Sequence, residues 1–147
     1  MNSVELPALM KSFSMDLRVY YEDTDAGGVV YHANYLKFME RCRTEWVRAL
    51  GYGQAELAAQ HQVVFVVRSV QANFLKPARL DDLLRVEVVL ESLGRASLLV
   101  KQQIFRLDQG SSRVLLTGQI QLACVHPESF RPVAIPSFLI SQLQEFL

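Results

Sequence analysis

Apolar and polar positions change period twice along this chain. From Met15 to Glu22, apolar Met15, Leu17, Val19 and Tyr21 alternate with Asp16, Arg18 and Glu22, which predicts a half-buried strand. From Ala33 to Leu50 the step becomes three or four. Tyr35, Met39, Cys42, Trp46 and Leu50 form one stripe, and Leu36, Phe38 and Val47 widen it. That spacing predicts a long helix covered on more than one face, suited to being wrapped by a sheet. Gly51-Tyr52-Gly53 ends it, and Gln54 to Gln60 reads as a short second helix. From Val63 the period returns to two. Residues 63–74 are rich in β-branched and aromatic side chains, and the run Val63-Val64-Phe65-Val66-Val67 predicts a strand buried on both faces. After a break at Pro77 and Asp81-Asp82, Val86, Val88 and Leu90 alternate with Arg85, Glu87 and Glu91. A turn at Ser92 to Gly94 leads to another strand reaching Leu107, and Asp108-Gln109-Gly110-Ser111 reads as a hairpin turn. In the last strand Val114, Leu116, Ile120, Leu122 and Cys124 share one face against Thr117, Gln119 and Gln121. Pro127, Pro132 and Pro136 then punctuate an irregular tail ending in a short helix.

One strand, a long helix and four strands joined by short turns imply antiparallel pairing, with the helix covering the apolar face. The expected class is α+β, in one domain spanning 1–147, with 1–13 and 137–147 as terminal extensions. At 147 residues the chain can bury a core without disulfide or metal. Fifteen basic residues balance fifteen acidic ones, so no net field draws in nucleic acid or anionic membrane. Cys42 and Cys124 are expected reduced and buried. The start, with Glu5 and Pro7, lacks the basic-then-apolar pattern of a signal peptide. No window approaches the ~18 uncharged apolar residues of a membrane span. A cytoplasmic protein is the expectation.

Chemistry concentrates in residues 20–35, Tyr-Tyr-Glu-Asp-Thr-Asp-Ala-Gly-Gly-Val-Val-Tyr-His-Ala-Asn-Tyr. An acidic, glycine-containing turn here enters the long helix, whose first N–H groups are unpaired and partly positive. A carboxylate beside such an end is the minimum equipment for acyl-group chemistry. Asp25 equally suits a turn or helix cap, and Asp23 reads as a solvated turn acid.

From Tyr21 to Tyr35 this stretch resembles, without a gap, the (Y/F)-x-D-x-D-x-x-G-(V/I)-V-(Y/W)-(H/Y)-x-N-Y signature of hot-dog-fold acyl-CoA thioesterases. The likeness is to the 4-hydroxybenzoyl-CoA thioesterase type, above all to the bacterial branch encoded beside the Tol–Pal envelope system, and it extends more weakly over residues 14–136. The resemblance implies a hot-dog fold, one long central helix wrapped by a curved antiparallel sheet of about five strands. It implies hydrolysis of acyl-CoA to a carboxylic acid and CoA, with no cofactor and no metal. It also implies dimers paired sheet edge to sheet edge, with active sites at the interface, and commonly tetramers built as dimers of dimers.

Residue by residue, the resemblance makes Asp25 the catalytic carboxylate, either nucleophile or general base. It makes the His32 backbone N–H the oxyanion donor and groups the rings of His32 and Tyr21 with the aspartate. Gly28 and Val29 fall in the substrate-facing turn, and Tyr31 and Tyr35 are candidates for lining the acyl pocket, with core packing as their alternative. Asn34 is expected to tie the loop down. Arg95 and Ser97, in the turn between the third and fourth strands, are the candidates for coenzyme A phosphates; Arg68, Lys76 and Arg79 are cations without a motif. Glu40 and Glu45 read as a solvated helix face with Arg41, Arg43 and Arg48. His32, His61 and His126 show no metal-ligand spacing, and no P-loop, GxGxxG or GxSxG appears. Two rival functions stand beside the thioesterase: a hot-dog hydratase or dehydratase, and a non-catalytic thioester-binding protein tied to envelope or lipid machinery. The acyl chain is open: aliphatic, aromatic and acyl carrier protein thioesters all fit.

Overall fold

A computed structural model describes residues 11–147. Glu5, Pro7 and the first ten residues of the expected N-terminal extension lie outside them. The elements are β1 (Phe13–Arg18), a 3-10 turn (Tyr21–Asp23), α1 (His32–Ala49), α2 (Gln54–His61), β2 (Val64–Phe74), β3 (Leu83–Leu93), β4 (Ser97–Asp108), β5 (Ser111–Val125) and α3 (Ser137–Gln144). All five strands pair antiparallel in one sheet, in the order β1-β3-β4-β5-β2. This is the α+β arrangement the alternation and the helical stripe predict.

The stripe of α1 buries Tyr35, Phe38, Met39, Cys42 and Trp46 against Leu84, Val86, Val100, Ile104 and Ile120 of the sheet. β5 carries Gly118 where it faces β2 closely. A Cβ there would stand 3.2 Å from the Gln71 carbonyl and 3.7 Å from Met39 Sδ. One polar side chain, Gln102, is fully buried under α1. It is satisfied: Nε2 donates to the Met39 carbonyl at 3.2 Å, and Oε1 accepts from Arg43 Nη1 at 2.9 Å.

Several expectations are corrected. The first strand stops at Arg18, four residues early, because Val19 and Asp81–Asp82 exchange backbone hydrogen bonds and the chain then lifts into the 3-10 turn. Tyr21 is therefore 81% exposed instead of pointing into the core. β2 is not buried on both faces: it is an edge strand paired only with β5, and Val67, Val70 and Phe74 are exposed. Opposite Ile104 and Phe105 of β4, β5 carries one extra residue, Leu115, so Leu115 and Leu116 are both buried and Val114 leaves their face. Residues 137–147 do more than extend the domain, because α3 sends Leu139 and Leu143 into the core. Phe13, placed in the N-terminal extension, opens β1.

Cys42 and Cys124 are free and buried, as expected. Burial pushes their thiols up to about 12 and about 11, so neither is a ready nucleophile. Among the described residues no helix is long and apolar enough to cross a membrane.

Gly118→Leu should crowd the Gln71 carbonyl and Met39 and lower stability by about 1–3 kcal/mol, as overpacking does. Differential scanning calorimetry should read this as a Tm roughly 3–10 °C lower, with Gly118→Ala in between.

Candidate active site at the start of the long helix

The loop between β1 and α1 is held by an acid that the sequence pattern assigned to solvent. Asp23 is 7% exposed. Its Oδ2 accepts the Tyr20 N–H and its Oδ1 accepts Asn34 Nδ2, both at 2.9 Å, while its carbonyl accepts the Tyr31 N–H at 3.0 Å. One residue thus ties the 3-10 turn to the first turn of α1. Asn34 has the supporting role expected of it, and no alternation could have shown its partner eleven positions away.

Between these anchors residues 24–30 form a small hairpin. Thr24 bridges Val30, the Asp25 N–H donates to the Val29 carbonyl at 2.9 Å, and the Gly28 N–H to the Asp25 carbonyl at 3.0 Å. Gly28 sits at φ +81°, the left-handed region where a side chain is strained. Asp25 is exposed at the hairpin tip. Its Oδ1 accepts the Gly27 N–H at 2.8 Å, and its Oδ2 has no partner among the described residues. The carboxylate is fixed at one oxygen and available at the other.

The hairpin runs straight into α1. Tyr31 is the N-cap, and no side chain caps the helix, so the first N–H groups at His32 and Ala33 point outward without a side-chain acceptor. These donors and the partial positive charge of the helix end suit a developing oxyanion. The His32 ring is exposed and lies 4.5 Å from the Tyr31 ring.

The connection from β2 to β3 closes the other side. The Val30 N–H donates to the Ala78 carbonyl, Val29 bridges Arg79, and Tyr35 Oη accepts the Ala78 N–H at 2.9 Å. Tyr35 is 4% exposed, packed edge-on against Phe38 and Phe74. Its phenol is pushed above its ordinary pKa, by burial first. It braces the wall of a cleft of about 270 Å³ lined by Val30, His32, Tyr35, Phe74, Lys76 and Pro77. Lys76, a cation without a motif, therefore stands beside His32.

The expected residues divide into two groups. Asp25, Gly28, Val29, Tyr31, His32 and Tyr35 gather around the hairpin and the helix start. Tyr21 lines a different depression, with Arg18, Glu22 and Asp81. Arg95 and Ser97 lie at the opposite end of the sheet, where β3 turns into β4 beside the end of β5. His61 packs on Phe138, and His126 Nδ1 accepts the Glu128 N–H at 3.1 Å; both are remote from the hairpin in the fold. Glu45 pairs with Arg48, and Glu40 accepts a hydrogen bond from Thr44.

A model of the thioesterase superfamily matches residues 27–112. The acyl-CoA thioesterase YbgC of Haemophilus influenzae is 43% identical over 128 residues, 87% of this chain and 91% of that protein. The crystal structure of a probable thioesterase from Bartonella henselae superposes with a TM-score of 0.78 at 35% identity, covering 85% of this chain and 99% of that one. The 4-hydroxybenzoyl-CoA thioesterase of Pseudomonas sp. strain CBS-3 shares the fold at TM-score 0.82 with 20% identity, over 89% and 98% of the two chains.

Because Asp23 and Asn34 act as a unit, Asp23→Asn and Asn34→Ala should each cost about 1–3 kcal/mol. The double variant should cost less than their sum in urea denaturation.

Proposed function

The chain belongs to the thioesterase superfamily, and from that premise we propose that it hydrolyses acyl-CoA thioesters to a carboxylic acid and coenzyme A with Asp25 as the reacting carboxylate. The observation that carries this reading is the Asp25 hairpin, one carboxylate oxygen tied and the other open, directly ahead of an uncapped helix. The thioester carbonyl accepts hydrogen bonds from the helix-start N–H groups, that of His32 foremost. Charge that builds on this oxygen as the carbon becomes tetrahedral meets donors already in position. Asp25 either attacks the carbonyl carbon itself, giving a mixed anhydride that water then opens, or removes a proton from the attacking water. In both routes the coenzyme A thiolate leaves and takes up a proton. A carboxylate and backbone donors suffice for this chemistry, so the reading needs no cofactor and no metal.

Tyr35 shapes the acyl end of the cleft by bracing its wall, and Tyr31 packs beside His32 at its rim. Tyr21, at 81% exposure, reaches the reaction only by way of a bound substrate or another subunit.

The working unit is a dimer paired through β2. Support comes from that strand's edge, which is 11 residues long and exposes Val67, Val70 and Phe74, with Leu36 of α1 also exposed. An apolar edge of this length invites pairing with another strand. Two-fold antiparallel pairing sets the Val64 end of one β2 beside the Phe74 end of its partner. Within one chain those ends are roughly 33 Å apart at about 3.3 Å per residue. Pairing therefore carries the partner's Arg95–Ser97 turn toward this chain's Asp25 hairpin, which is where cations for coenzyme A phosphates are needed. Assembly into tetramers and use of acyl carrier protein thioesters extend the same reading. So does a cytoplasmic location, where buried thiols such as Cys42 and Cys124 stay reduced.

Asp25→Asn should lower kcat about 10²–10⁴-fold on a panel of acyl-CoAs, measured by thiol release, with the melting temperature unchanged. Equal activity in the variant would remove Asp25 from the mechanism. Thiol release from none of the panel by the native protein would remove the activity itself.

The composite site has its own test. Arg95→Ala should raise KM. Mixed dimers of Arg95→Ala with Asp25→Asn should regain low-KM turnover at one of their two sites, because one site then holds both native residues. Mixed dimers with only high-KM turnover would put Arg95 and Asp25 to work in the same chain or apart.

A further inference from the structure

The cleft beside His32 is lined by one lysine, Lys76, and by no acid. Phe74, Leu75 and Pro77 give it apolar walls opposite the helix start. Lys76 forms no ion pair among the described residues. The two carboxylates whose charge acts on the neighbouring Tyr35 are those of Asp82 and Asp25. Both are engaged elsewhere: Asp82 Oδ2 accepts the Arg79 N–H and Asp25 Oδ1 the Gly27 N–H, each at 2.8 Å.

The segment that carries the lysine is fixed. The Leu75 and Lys76 N–H groups both donate to the Leu115 carbonyl, at 2.8 and 3.2 Å, so the backbone here turns toward β5. It lies past Phe74, where β2 and its open edge end. Pro77 sets the next φ, and the Ala78 N–H is held by Tyr35 Oη. The stem of Lys76 therefore starts from a set point, two residues from the amide that the bracing tyrosine holds. Its side chain is exposed, so an arriving anion displaces only water from it.

An ammonium without an acid partner, on a mostly apolar cleft, suits a carboxylate carried at the end of a hydrocarbon. A plain alkyl chain would fill the same walls and leave the lysine to water. The coenzyme A phosphates are the substrate's other anions. The neutral pantetheine arm separates them from the thioester, and in the dimer reading the partner's Arg95–Ser97 turn serves them. A cavity of about 150 Å³ takes benzene, so one of about 270 Å³ has room for a short acyl chain.

We propose that Lys76 selects acyl groups that end in a carboxylate, making the substrates thioesters of short dicarboxylic acids. The far carboxylate meets the Lys76 ammonium while the thioester carbonyl meets the helix start at His32. This inference rests on the thioesterase reading and names the substrate class within it.

Thiol release by the intact native oligomer is measured with glutaryl-CoA and with pentanoyl-CoA, matched in carbon number, after subtraction of uncatalysed release. The ratio of kcat/KM, acid over alkyl, should be at least about ten, the worth of one hydrogen bond between charged groups. Lys76→Met keeps the length of the stem and should lower that ratio at least about tenfold, and Lys76→Glu should take it below one. A change in the shape of the cleft alone would slow both substrates together and leave the ratio where it was. If one variant loses its cooperative thermal transition, the other decides. A native ratio near or below one, or a ratio unmoved in the deciding variant, would overturn the proposal and leave hydrolysis standing. Thiol release from neither substrate nor any other acyl-CoA would overturn hydrolysis, and the proposal with it.

Discussion

The candidate site of this molecule depends on the carboxylate of Asp23. A loop that joins a strand to a helix is ordinarily free to drift, and a catalytic group carried on it would drift too. Asp23 removes that freedom by holding the Tyr20 N–H and the Asn34 amide together while its own carbonyl holds Tyr31. Both ends of the Asp25 hairpin are then fixed to the same helical turn. Charge-assisted hydrogen bonds are stronger than neutral ones, and this one is shielded from water. Asp25, the acid proposed to react, is exposed and Asp23, the acid that positions it, is buried, a division of labour between two residues of one D-x-D motif.

The same economy appears in the sheet. Gly118 gives β5 room beside the Gln71 carbonyl, and the buried Gln102 beneath α1 is satisfied by a helix carbonyl and by Arg43. That arrangement holds the Arg43 guanidinium against the sheet. Packing on one side of a helix and charge on the other are thus set by one hydrogen-bonded pair. The β2 edge carries the opposite kind of constraint. It is apolar where a single chain leaves it open, so burial of Val67, Val70 and Phe74 falls to a second subunit in the dimer reading.

How much of this was legible in the sequence varied with the range of the interaction. Alternation and the three-four step located α1 and the antiparallel strands, because side-chain periodicity is a local consequence of backbone geometry. The motif located the hairpin, since Gly28 answers a left-handed φ and Asp25 an Asx-type turn, both local demands. Asp23 was misread because its partner lies eleven residues on. Tyr21 was misread because contacts between Val19 and Asp81–Asp82, sixty positions away, ended the strand early. Val63 to Val67 were read as doubly buried because β-branched composition records that a surface is covered, without saying by which chain.

By itself, then, the sequence determined the element types, their order and the place of the candidate hairpin, all of which follow from neighbours a few residues apart. Tertiary structure alone decided that β2 is an edge, that Arg95 and Asp25 lie at opposite ends of one sheet, that Tyr35 braces Ala78, and that Lys76 shares a cleft with His32. Those facts depend on which distant segments pair and in what register. Pairing of that kind is set by the energy of the whole packed core and leaves no periodic trace along the chain.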